Sequence, residues 1–214
     1  MKKHLLTLAL CCVTSLSFAN EEVKLEKIQV DTSNPAVKRG VEAFMDSCHS
    51  CHTLKYIKYQ DLVGLGFDKA KVKEWQGDWT LDAPVMGMMP DDGAMAAFGK
   101  LPPELSLMAR ARDGGNNYLY SYLMAYYTGA DGVTGNHVFP ASKMPDPLGI
   151  SSATEPAQRA EIAAKAKDIV SFLNWAADPH ELERYKLGTY ILGYLFVLTS
   201  LLFVMKKRIW ARLN

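Results

Sequence analysis

"DSCHSCHTL", residues 46–54, sets two cysteines and two histidines within five consecutive positions, Cys48 to His52. Three chemistries use such clusters, and each demands a different fold around it. A redox dithiol needs a thiolate stabilised at a helix N-terminus behind a strand. Here the preceding residues carry Val37, Val41 and Phe44 at helical spacing, so the pair sits at the end of a helix. Tetrahedral zinc draws a second pair of ligands from elsewhere in a chain, and no further Cys-x-x-Cys or His-x-x-x-His follows. The third chemistry is covalent haem attachment, for which Cys-x-x-Cys-His is the spacing. Cys48 and Cys51 then form thioethers to the vinyl groups and His52 reaches the iron. This reading uses all three residues and is the one adopted. It leaves His49 as an exposed spacer.

A haem also explains what surrounds the motif. Residues 60–104 hold Gly64, Gly66, Gly77, Gly87, Gly93 and Gly99 with Pro84, Pro90, Pro102 and Pro103, and read as irregular chain needing something to pack upon. Asn34 as N-cap and Pro35 at the first helical position open the helix before the motif. "SLMARA" and "NYLYSYLMAYY" predict two helices broken by "RDGG" (112–115). A long helix runs from about Glu155 to Ala176, with Ile162, Ile169, Phe172, Leu173 and Ala176 as its buried stripe and Pro179 as its stop. No alternating run is long enough for a sheet, so the class is mainly α. The sixth iron ligand stays open on spacing alone. Met88 and Met89 in "GMMP" and Met144 in "SKMP" lie in Gly/Pro-rich loops, whereas Met95, Met108 and Met124 read as helix-face packing.

The ends place the domain in a cell. "MKKHLLTLALCCVTSLSFA" (1–19) has two lysines, a short apolar stretch and small residues at Ser17 and Ala19, the pattern of a secretory signal cut after Ala19. Cleavage removes Cys11 and Cys12. At the other end, Leu187–Met205 is 19 residues without a charge, followed by "KKRIWAR" (206–212). Positive charge stays in the cytoplasm, so this reads as one membrane anchor with the bulk of the chain outside. The expected division is signal 1–19, exported haem domain 20–183, anchor 184–206 and basic tail 207–214. Residues 20–183 hold 16 basic and 23 acidic side chains, a formal charge of −7. Such a domain repels nucleic acid and steers basic partners toward itself.

The order of "CHSCH", "GKLPPELSLMARARDGGNNYLYSYL", "NHVFPASKMPDPL", "FLNWAADPHELERYKLG" and a C-terminal span with a basic tail resembles the cytochrome c1 family, the membrane-anchored haem subunits of cytochrome bc1 complexes (ubiquinol:cytochrome c oxidoreductases). The resemblance implies a class I cytochrome c-like haem domain with one C-terminal transmembrane helix and a single covalent haem c. It matches Cys48, Cys51 and His52 to the attachment motif and Met144 to the axial methionine. It matches Arg112 to an arginine that contacts a haem propionate, and Tyr118, Pro102 and Pro103 to positions packing around the haem. It further implies an electron relay, not itself catalytic, between a Rieske iron-sulfur protein and a cytochrome c, beside cytochrome b in a dimeric inner-membrane complex. The segment between Phe139 and Met144 is shorter than in mitochondrial members, and the acidic insertion of some members is absent. Two other assemblies fit a tethered c-type haem. One is a cytochrome serving a terminal oxidase, the other a haem peroxidase or gas sensor with an open distal side.

Overall fold

A computed structural model describes residues 23–212; the signal segment expected at 1–19 lies outside them. Helix α1 is Asn34–Ser47. Strand β1 (Leu54–Lys58) and short helices α2 (Tyr59–Gly64) and α3 (Lys69–Gln76) follow, then β2 (Pro84–Val85) and α4 (Asp91–Phe98). Next come α5 (Met108–Ala111), α6 (Gly115–Met124), β3 (Tyr126–Thr128) and β4 (Thr134–Asn136), then α7 (Pro156–Ala177) and α8 (Glu181–Trp210). The strands form two antiparallel pairs, β1 with β2 and β3 with β4. The architecture is mainly α.

The core is the crossing of α1 over α7, with α5 and α6 laid against α7. α1 buries Val37, Val41 and Phe44, and α7 answers with Ile169, Val170, Phe172 and Leu173. Each fully buried side chain of this size stabilises the fold by about 1.5–3 kcal/mol. Phe44 and Phe172 meet edge to face, ring centroids 5.4 Å apart. Gly40 makes the crossing possible: a Cβ there would overlap the Asp168 carbonyl oxygen and sit 2.7 Å from Phe172 Cβ. Beside that contact the Arg39 guanidinium grips both Asp168 carboxylate oxygens, at 2.8 and 2.9 Å. An extended segment before α1 is tied down by side chains. Glu26, Ile28 and Asp31 donate their amides to Ser121 Oγ, Asn117 Oδ1 and Ser171 Oγ at 2.7, 2.9 and 3.1 Å.

Several expectations need correction. The N-cap of α1 is Ser33, one residue before Asn34, so Pro35 falls at the second helical position. Residues 60–104 are not irregular throughout, because α2, α3, α4 and β2 lie there. These helices have 6 to 8 residues, too few turns for an apolar period to show. Their ends are nevertheless chemically marked. Asp68 Oδ1 accepts the Ala70 amide at 2.7 Å to cap α3, and Gly99, at φ 69°, closes α4 in the left-handed region.

α7 ends at Ala177, and α8 begins four residues later, including most of "HELERYK". At 1.5 Å per residue its 30 residues extend about 45 Å. It is long and apolar enough to cross a membrane, and none of its apolar window is buried against the rest of the chain.

Candidate cofactor site

The chain leaves α1 in a tight turn that builds one wall of a cavity. Phe44 O accepts the amides of Cys48 and His49 at 2.8 and 3.0 Å, and Cys48 O accepts those of Cys51 and His52 at 3.1 and 2.9 Å. Behind this turn lies "GMMP". Met88 and Met89 donate their amides to His49 O and Ser50 O, and Gly87 donates to Thr53 Oγ1 at 2.9 Å. Gly87 packs so closely that a Cβ there would stand 3.1 Å from Cys51 O.

The cavity has a volume of about 360 Å³, within the range of small-molecule and cofactor pockets. Its lining is mostly apolar. All eight residues that the resemblance assigns to the haem site line it: Cys48, Cys51, His52, Pro102, Pro103, Arg112, Tyr118 and Met144. They come from the turn after α1, the segments flanking α5, the start of α6 and the loop after β4. Met88 and Met89 are not in the lining, and Met88 is 74% exposed. Met108 does line the cavity, from α5, while Met95 is exposed rather than packed.

His52 is buried, and its Nδ1 lies 2.8 Å from the Pro103 carbonyl oxygen. That oxygen can only accept, so Nδ1 carries the proton and Nε2 keeps its lone pair, the arrangement of a metal-binding histidine. Burial lowers the His52 pKa, partly offset by the Pro103 hydrogen bond, which favours the neutral ring. Burial pushes the Cys48 thiol up to about 12. Cys48 is also the C-cap of α1, where the helix dipole opposes a thiolate. Both facts disfavour a redox dithiol. Among the described residues no cluster of three metal-ligating side chains of the Cys, His, Asp and Glu kind exists, so the motif has no set for zinc.

Arg112 and Tyr118 act as a pair: Nη2 donates to the Tyr118 hydroxyl at 3.0 Å, and the guanidinium lies 4.5 Å from that ring's centroid. The lining also holds Lys100 and Lys143, so the cavity carries cationic groups on a domain of acidic balance. Neutral soft donors on two walls, an apolar body and cationic groups in the lining suit a flat apolar cofactor bearing carboxylates and a metal centre.

Three roles were not foreseen. His49 is buried, not an exposed spacer; its Nε2 lies 3.4 Å from the Tyr59 hydroxyl, behind the turn. Burial lowers its pKa, partly offset by a hydrogen bond to the Met86 backbone. Pro103, expected only as wall, supplies the carbonyl that orients His52. Ser142, two residues before Met144, accepts the Met144 amide at 3.2 Å and lies 2.6 Å from the Tyr122 hydroxyl. A serine accepting the amide two residues on is a local turn signal that the sequence does contain.

Known proteins resemble the chain along most of its length. A model of the Cytochrome C1 family matches residues 24–95 and 82–213. Cytochrome c1 of Rhodospirillum rubrum is 32% identical over 82% of this chain and 81% of its own. Cytochrome c1 of Allochromatium vinosum is 30% identical over 98% of each chain. A Nitrosomonas europaea protein named ammonia monooxygenase gamma subunit is 27% identical over 98% of this chain and 97% of its own. With the family matched along nearly the whole described chain, this protein belongs to the cytochrome c1 family and has its mainly α, class I c-type haem domain with one C-terminal apolar helix.

Proposed function

We propose that this chain is the membrane-anchored haem subunit of a cytochrome bc1 complex, relaying single electrons from a Rieske iron-sulfur protein to a cytochrome c. The observation that carries the reading is His52, held by Pro103 in the ligand tautomer, in one cavity with Cys48, Cys51 and Met144. Cys48 and Cys51 would hold one haem c by thioether bonds, and His52 and Met144 would hold its iron. When bound, the haem supplies a one-electron couple that His/Met ligation raises relative to bis-histidine. The protein's part is to orient and to insulate. Pro103 fixes the His52 ring, Pro102 and Tyr118 pack along the cofactor, and Arg112 meets a propionate with the fork that suits a carboxylate. With His52 and Met144 both committed to the iron, the chain would relay electrons without bond chemistry of its own.

The family match supports the assembly, and charge and the anchor support its arrangement. We place the signal at 1–19, the periplasmic haem domain at 20–183, the inner-membrane anchor at 184–206 and the cytoplasmic tail at 207–214. Cytochrome b is the neighbour of the anchor, in a dimeric complex. The −7 domain attracts a basic acceptor, so turnover falls as ionic strength rises. A flat ionic-strength profile removes that steering role.

A second reading, an open haem that takes part in small-molecule chemistry, is favoured by the Nitrosomonas relative, which is named as an oxygenase subunit. Small-molecule chemistry at the iron needs an open position. The deciding experiment is an optical spectrum of the complex, reduced and then exposed to carbon monoxide. A c-type band that carbon monoxide leaves unshifted, accompanied by b haems, supports the relay. A shifted c-type band means an open haem and overturns it.

A further inference from the structure

The loop that brings Met144 to the cavity has little backbone of its own to hold it. Pro140, Pro145 and Pro147 interrupt it and supply no amide. Among the described residues, the hydrogen bond of the Met144 amide goes to Ser142 Oγ, at 3.2 Å. Ser142 Oγ lies 2.6 Å from the Tyr122 hydroxyl, and the Tyr122 oxygen accepts from the Tyr126 hydroxyl at 3.1 Å. Tyr122 is on α6, which packs on α7, so these hydroxyls reach from the helical frame to the loop. The same tyrosine holds the loop's other end: Asn136 Nδ2 donates to Tyr122 O at 2.8 Å, while Asn136 Oδ1 accepts the amides of Val138 and Phe139 at 3.0 Å each. The rings support one another. Tyr118 stacks on Tyr122 at 6.0 Å, and Tyr126 meets Tyr122 edge-on at 5.6 Å.

We infer that Tyr126, Tyr122 and Ser142 form a hydroxyl chain that positions Met144 and sets how firmly its sulfur holds the distal side of the cavity. The inference rests on the proposed reading of Met144 as a ligand. A thioether is neutral and offers only a weak bond, so an external ligand competes with it whenever the loop swings out. Each hydrogen bond from the frame lowers the population of that swung-out state. A net contribution of about 0.5–1.5 kcal/mol per bond corresponds to a change of roughly two- to tenfold in that population.

The test uses the full chain in its purified membrane complex, with imidazole as the competing ligand on the ferric protein. Tyr122→Phe and Ser142→Ala each tighten imidazole binding by about three- to tenfold, weaken the near-infrared absorption of sulfur bound to ferric iron, and leave haem content unchanged. Ser142→Thr, which restores the hydroxyl, returns the parent affinity. Tyr126→Phe, which removes only the outer hydroxyl, gives a smaller shift in the same direction. Should Tyr122→Phe fail to fold, Ser142→Ala carries the test with the loss of a single oxygen. Unchanged imidazole affinity in Ser142→Ala, alongside loss of the sulfur absorption in Met144→Ala, overturns the positioning role while leaving Met144 as ligand. Persistence of that absorption in Met144→Ala overturns the ligand reading, and the positioning role with it.

Discussion

On the His52 side of the cavity, backbone atoms hold the chain: Phe44 O and Cys48 O each take two amides, Pro103 O takes the imidazole proton, and Gly87 lets a second segment press against the turn. On the Met144 side, side chains do the holding, through Ser142, Tyr122 and Asn136. The first wall grows directly from α1, one of the two helices that make the core. The second is a loop about 90 residues later, interrupted by prolines and hung on α6. A backbone-built wall is rigid because it shares its hydrogen bonds with a packed helix. A side-chain-built wall can be loosened one atom at a time, so stability resides on one side of the site and tunability on the other.

The sharpest challenge to that contrast is Phe172→Ala. It empties a fully buried site against Phe44 and is expected to cost about 3–5 kcal/mol, read as a lowered denaturant midpoint of the whole domain. If the domain unfolds at an unchanged midpoint, the α1–α7 crossing is not what supports the His52 wall. Gly40→Ala should follow at about 1–3 kcal/mol, because its Cβ meets backbone that cannot rotate away. Asn136→Ala strips the Met144 loop of three hydrogen bonds at about 1–3 kcal/mol locally. It should speed proteolytic nicking near 137–148 while barely moving the global midpoint; a global shift as large as that of Phe172→Ala would erase the distinction between the walls.

The smallest effect is a pH dependence confined to the His52 side. Burial holds the folded pKa of His49 below its unfolded value, so the unfolded state binds more protons and stability rises with pH. The contribution is present above the unfolded histidine value, about 6.5, and is lost as pH falls below it. His49→Gln should flatten the midpoint-versus-pH curve over that window. An unchanged curve means that His49 does not carry the dependence.

Much of this fold can be read along the chain. α6 and α7 sit near where apolar spacing puts them, because each buries a face on its neighbours, although α6 stops at Met124 and the Tyr126 and Tyr127 of the expected helix enter β3; α5 lies before the "RDGG" break but buries only Ala109. α2, α3 and α4 escaped, since 6 to 8 residues among glycines and prolines leave no measurable period. His49 escaped for another reason. A residue inside a tight turn faces whatever segment packs behind it, and that segment, residues 86–89, is remote in sequence.

The sequence by itself determined the Cys48, Cys51 and His52 motif, because these residues lie within five positions of the chain and their spacing needs no partner to be meaningful. It also determined the apolar C-terminal helix, since length and hydropathy are properties of one segment. The tertiary structure decided which of the loop methionines lines the cavity, which carbonyl fixes the tautomer of His52, and that a tyrosine on α6 hangs the Met144 loop. Those are contacts between residues 14 to about 90 positions apart, and no local pattern encodes a distance that only packing closes.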